Sequence, residues 1–135
     1  MNETLIAEIK RYESYRSHAY HDVKGVLTIG YGLNLDDGIS KPLAAKILEW
    51  ILEERRFSLS RIFPCWQNLS PSRQDVFIDM AYNLGIPRFL KFEKMIAAAN
   101  NGDIEGVCRE MRDSEWCRED VGYRAEELIE KYRKG

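Results

Sequence analysis

Apolar residues recur every three or four positions along most of this chain, and the one stretch where they alternate instead is short and rich in glycine. The first periodic segment carries Leu5, Ile6, Ile9 and Tyr12 behind Asn2, a residue type whose side chain satisfies the free N–H groups at a helix start, and so predicts a helix. Ile6, Ile9 and Glu13 follow one another at i, i+3 and i+7, which makes Glu13 the far end of the apolar face. Between Ala19 and Leu35 the period changes. β-Branched and aromatic residues interspersed with Gly25, Gly30 and Gly32 predict two or three short antiparallel strands. A two-residue period from Val26 to Tyr31 puts Leu27, Ile29 and Tyr31 on one face and Val26, Thr28 and Gly30 on the other, so Thr28 points away from the bulky side.

Helical spacing then resumes. Ser40 is placed to cap a long helix in which Leu43, Ile47, Ile51 and Ala44, Leu48, Leu52 form adjacent rows that reach towards Leu59 and Ile62. Ser70 and Pro71 restart the chain as a helix with the stripe Val76, Phe77, Met80, Ala81 and Leu84, ended by Gly85 and Pro87. Three further helices are predicted, over Phe89 to Ala99, Asp103 to Met111 and Tyr123 to Lys131. Strands followed by many helices without alternation argue against a parallel α/β fold. The prediction is an α+β, mainly α fold in one domain, residues 1–135. It has a small β-containing lobe at about 14–40, a long interlobe helix at about 40–62, and a larger helical lobe at about 63–135 that also takes the N-terminal helix.

Composition narrows the function without naming it. The 135 residues, 44% hydrophobic, suffice for one packed core without metal or disulfide support. No run approaches the roughly 20 apolar residues of a membrane helix, and Glu3, Glu8 and Glu13 stand where a leader would be basic and then apolar, so neither membrane insertion nor export by a leader is expected. A net charge of −2 without blocks of like charge gives nucleic-acid binding no support. Cys65, Cys108 and Cys117 lack metal-ligand spacing and are odd in number, which favours inert thiols over a Cys108–Cys117 bridge. His18 and His21 fall on opposite faces of a strand, unsuited to a metal or to nucleophile activation, and are expected at the surface. Trp50, Trp66 and Trp116 are expected in core or interlobe packing. No nucleotide-binding glycine loop or GxSxG elbow occurs.

What remains is a pair of carboxylates. Glycoside hydrolysis needs one carboxylic acid that holds its proton near neutral pH and a second that stays ionised. Glu13 continues an apolar stripe at a helix C-terminus, and burial and the helix dipole would both disfavour its charge. Asp22 lies at a strand end beside a turn, where water and backbone donors keep a carboxylate charged. Thr28, on the less bulky strand face, is placed to hold a water against Asp22.

The string from Glu13 to Asp22, followed by Gly25-Val-Leu-Thr28-Ile-Gly30-Tyr-Gly32, fits the pattern E-x8-D-x5-T-I-G-x-G and resembles the active-site segment of the phage-type lysozymes, glycoside hydrolase family 24. Looser likenesses run through Ile39-Ser-Lys, Ala81-Tyr-Asn-Leu-Gly85, Ser114-Glu-Trp116 and Arg124-Ala125. The resemblance implies a lysozyme-like fold and a muramidase cutting between N-acetylmuramic acid and N-acetylglucosamine in bacterial peptidoglycan. It implies an acid at Glu13, a carboxylate at Asp22 and a water-positioning hydroxyl at Thr28. It further implies a supporting Arg124 paired with the catalytic Glu, saccharide contacts at Asn34 and Tyr82, and no metal or organic cofactor. A monomer is the simplest expectation, and the absent leader implies that another factor, such as a separate membrane pore protein, gives an enzyme made in the bacterial host cytoplasm access to the wall in the periplasm.

Two departures bear on this. Only residues 33–38 separate Gly32 from Ile39, so the small lobe is reduced and the number of sugar subsites is open. The chain is also mildly acidic, where many such lysozymes use basic charge to approach an anionic wall. The residues leave retaining and inverting outcomes open, and the resemblance favours inversion. A lytic transglycosylase is the alternative enzyme, against which Asp22 and Thr28 argue. A non-catalytic scaffold that binds saccharide or protein is the alternative of another class.

Overall fold

The computed structural model describes residues 2–120 and 122–135. It contains a small sheet-bearing lobe followed by a larger helical one, an α+β and mainly helical architecture, and its compact units are Met1–Lys46 and Ile47–Gly135.

The first unit opens with helix α1 (Glu3–Glu13), capped as predicted by Asn2, whose Oδ1 accepts from the Leu5 N–H at 3.1 Å. Three strands follow, β1 (Arg16–His21), β2 (Leu27–Gly30) and β3 (Leu33–Asn34), in the order β1-β2-β3 with both pairings antiparallel. β1 begins earlier than the sequence predicts, and its pairing is irregular between Arg16 and Tyr20. Thr28 lies on the central strand opposite Tyr20 on one side and Asn34 on the other. Cross-strand partners share a face, and Thr28 is buried there, 5% exposed.

Helix α2 (Lys41–Ile62) runs unbroken from the first unit into the second, starting where the Ser40 Oγ accepts from the Leu43 N–H at 3.3 Å. The second unit adds α3 (Pro71–Leu84), α4 (Ile86–Phe89), α5 (Glu93–Asn100), α6 (Ile104–Arg112) and α7 (Tyr123–Lys134), with a π-helical turn at Trp116–Asp120. Side chains of Ser70 and Asp103 cap α3 and α6. The single helix predicted over Phe89 to Ala99 is two. Pro87 and Gly85 start α4, the turn at 90–92 breaks the ladder, and α5 begins after Phe92.

Every buried hydrophobic among the described residues lies between Leu59 and Tyr132, within the second unit. Its centre is aromatic: the Phe63 and Phe77 rings stack at 4.7 Å, Phe89 meets both edge-on at 6.0 Å, and Tyr132 lies 5.1 Å from Phe77. Offset and edge-to-face arrangements of this kind suit the ring quadrupoles and add to the gain from burial. Trp66 and Trp116 belong to this core as predicted. Trp50 does not, standing 71% exposed on α2, because an i, i+4 row fixes which side chains share a face but not what covers that face. Cys108 and Cys117 are buried as free thiols and Cys65 is half-buried. Burial pushes all three thiols above their ordinary pKa, with the Glu126 carboxylate adding to the effect at Cys117. No described helix is long and apolar enough to cross a membrane.

Candidate active site

The turn between β1 and β2 is built by Asp22 and holds Asp22 in return. Its carbonyl accepts from the Gly25 N–H at 2.9 Å, and its side-chain Oδ1 accepts from the N–H groups of Lys24 at 2.8 Å and Val26 at 2.9 Å. A short acidic side chain that bonds its own following backbone is the chemistry that closes such turns. The Asp22 N–H donates back to the Val26 carbonyl at 3.0 Å. That same carbonyl accepts from the Thr28 hydroxyl at 2.9 Å. One residue, Val26, therefore ties the carboxylate to its N–H and the hydroxyl to its carbonyl. With its proton committed to Val26, the Thr28 oxygen has only lone pairs left to offer, which makes it an acceptor towards a neighbouring water.

Glu13 ends α1, and the chain turns sharply after it. Ser14 has φ 61° and is the one non-glycine residue at positive φ among those described, its N–H donating to the Lys10 carbonyl at 3.0 Å. The Glu13 carboxylate lies over the backbone of Gly32, so close that a Cβ there would stand 2.6 Å from its carboxyl carbon. The sequence predicts burial of Glu13 with the apolar face of α1, and this is corrected. α1 contains no buried residue, Leu5, Ile6 and Ile9 are 38–47% exposed, and Glu13 is exposed with them. Amphipathic spacing identified the face; it carried no information about a wall against it.

Asn34 stands beside Thr28 across the β2–β3 pair, and its Oδ1 accepts from the Asp36 N–H at 2.9 Å, capping a short 3-10 turn at Leu35–Asp37. His18 and His21 are exposed as predicted, with Ser17 Oγ 2.8 Å from His18 Nδ1. Among the described residues no group of three or more His, Cys, Asp or Glu is placed to hold a metal ion.

The other two candidates belong to the second unit. Tyr82 is exposed on α3. Arg124, near the start of α7, is not a lone solvated cation: its Nε donates to Asp79 Oδ1 at 2.8 Å, and its Nη2 closes on the same oxygen. Sequence reasoning missed Asp79, whose partner Arg124 lies 45 positions further along the chain, beyond the reach of any local pattern. It also missed Val26 and Gly32, which act through backbone and through an absent side chain, neither of which residue type advertises.

The family model for phage lysozyme matches residues 10–133. Among curated proteins, the pre-baseplate central spike protein Gp5 of Enterobacteria phage T4 is 27% identical over 150 residues, an overlap that takes in 90% of this chain but 26% of that relative's length.

Proposed function

The chain belongs to the phage lysozyme family of peptidoglycan-hydrolysing glycoside hydrolases, and we propose that it cleaves the β-1,4 bond between N-acetylmuramic acid and N-acetylglucosamine with Glu13, Asp22 and Thr28. Glu13 gives its proton to the glycosidic oxygen as the bond to the anomeric carbon breaks. A water that donates one hydrogen bond to Asp22 and the other to Thr28 presents its lone pair to that carbon. Asp22 takes the water's proton as the new bond forms, so one water is consumed per cut and a reducing end is released. The observation that carries this reading is the double clasp on Val26, whose N–H holds a carboxylate and whose carbonyl takes the proton of a hydroxyl. Attack from the face opposite Glu13 inverts the anomeric centre, which proton NMR of the first-formed sugar reads directly.

Asn34 and Tyr82 are proposed saccharide contacts, and Arg124 a support for the acid. With them goes the division into a small lobe at about 14–40, an interlobe helix and a helical lobe. The substrate lies outside the cytoplasmic membrane, and a monomer released through a separate pore protein from the host cytoplasm is the simplest route to it. The likeness to a pre-baseplate spike protein favours a second route, delivery as part of a larger particle. Immunoblotting purified particles separates the two routes.

The test is clearing of outer-membrane-permeabilised Gram-negative cells by wild type and Glu13→Gln, with circular dichroism on both. Removing the proton donor lowers lysis by about 10²–10⁴-fold with the fold intact. Substantial lysis by Glu13→Gln would mean that another group is the acid. Mass spectrometry of the muropeptides separates hydrolysis from transglycosylation, whose anhydro product is lighter by one water.

A further inference from the structure

Gly25, Gly30, Gly32 and Gly38 all have positive φ, between 67° and 81°, so backbone conformation alone accounts for glycine at each. Space separates them. A Cβ built on Gly25, Gly30 or Gly38 meets nothing within 4 Å. A Cβ on Gly32 runs into Glu13, 2.6 Å from its carboxyl carbon and 3.1 Å from its Cγ, and closer still to Oε2. Carbon atoms rest about 3.5–4.0 Å apart, so the carboxylate would have to withdraw by about 1 Å.

We propose that Gly32 is a positioning residue: the hollow left by its missing side chain is the seat of the Glu13 carboxylate. The proposal rests on the assignment of Glu13 as the acid. The acid is held at two points, its backbone by the end of α1 and the turn at Ser14, its carboxylate by the Gly32 backbone. The displaced group is the far end of a long, exposed side chain, free to swing away. Filling the hollow therefore costs little folding stability beyond the φ penalty that Gly30→Ala also carries, and the loss falls on where the proton is delivered. A misplacement of about 1 Å is enough to cost about 10²-fold in rate.

The experiment compares Gly32→Ala with Gly30→Ala, which shares the backbone penalty but displaces no carboxylate. Turnover of purified peptidoglycan is measured across pH, with thermal melts. In the wild-type protein, NOEs are measured between the Glu13 γ-protons and the Gly32 α-protons. We expect the NOEs to be present, the two variants to melt alike, and Gly32→Ala to turn over about 10²-fold more slowly than Gly30→Ala with a displaced pH profile. Equal turnover and coincident pH profiles would overturn the proposal, as would absent NOEs. If Gly32→Ala fails to fold, the wild-type NOEs decide. Absent NOEs with an inactive Glu13→Gln would remove the seat and leave the acid assignment standing. NOEs present with a fully active Glu13→Gln would remove the acid assignment, and the positioning role with it.

Discussion

The two compact units of this protein are held together by different means. Residues 47–135 contain every buried hydrophobic among those described, gathered round Phe63, Phe77, Phe89 and Tyr132. Residues 2–46 contain one buried side chain, the polar Thr28, and are organised by backbone and side-chain hydrogen bonds around Asp22, Val26 and Asn34. A sheet of short strands with little apolar burial opens more readily than an aromatic core. The three residues proposed for the chemistry all lie in the unit with the smaller reserve. In this chain, packing and candidate chemistry have separate addresses, and substitutions at the two should fail in different ways.

The most direct attempt to break that contrast is Phe77→Ala, which empties the centre of the aromatic core. A loss of about 3–5 kcal/mol in urea unfolding is expected, with the activity of the remaining folded molecules unchanged. A folded Phe77→Ala of native stability without activity would contradict the separation.

Next in size is an effect of pH. Burial, opposed by Arg73 and reinforced by Cys65 and Cys108, pushes the Tyr132 phenol up to about 12 from its ordinary 10. The native state thus keeps a proton that the unfolded chain surrenders between pH 10 and about 12. This contribution is complete below pH 10 and fades as pH rises, on the order of 3 kcal/mol in all. Urea titrations against pH should show that slope in wild type and lose it in Tyr132→Phe.

Smaller still is the Arg124–Asp79 pair, in which both side chains are over a third exposed. Arg124→Ala and Asp79→Ala should each cost about 1 kcal/mol or less. Only Arg124→Ala should lower lysis beyond what its stability explains, if the arginine also serves the acid. Equal lysis by the two would confine Arg124 to bracing its own unit.

The smallest expected effect belongs to the first unit. Ser14→Gly relieves a side chain from positive φ, offset by the greater freedom of glycine in the unfolded chain, for a net gain of about 1 kcal/mol or less. Hydrogen exchange should slow in β1–β3 and stay unaltered in α3 and α7. Slowing throughout would show that the two units open as one.

Much of this was legible in residue order because its causes are local. Asn2, Ser40, Ser70 and Asp103 cap helices by bonding the N–H group three residues on, and those partners are fixed by sequence separation alone. The turn at Asp22 is local for the same reason, as is the alternation that sets Thr28 apart from Leu27 and Ile29. The helix expected across Phe89 to Ala99 is the exception, because its apolar spacing continues through a turn, beside which the Phe89 and Phe92 rings stack at 6.5 Å.

The sequence by itself determined the helices outside residues 86–100, the presence of short antiparallel strands, and the Glu13, Asp22 and Thr28 pattern that resembles the lysozymes. Only the tertiary structure decided that Trp66 and Trp116 are buried while Trp50 is not, that Glu13 stands exposed against Gly32, and that Arg124 answers to Asp79. Periodicity specifies which side chains share a face, at a range of a few residues. What lies across from that face is set by pairings dozens of positions away, as between Asp79 and Arg124, and those emerge only when the chain has closed on itself.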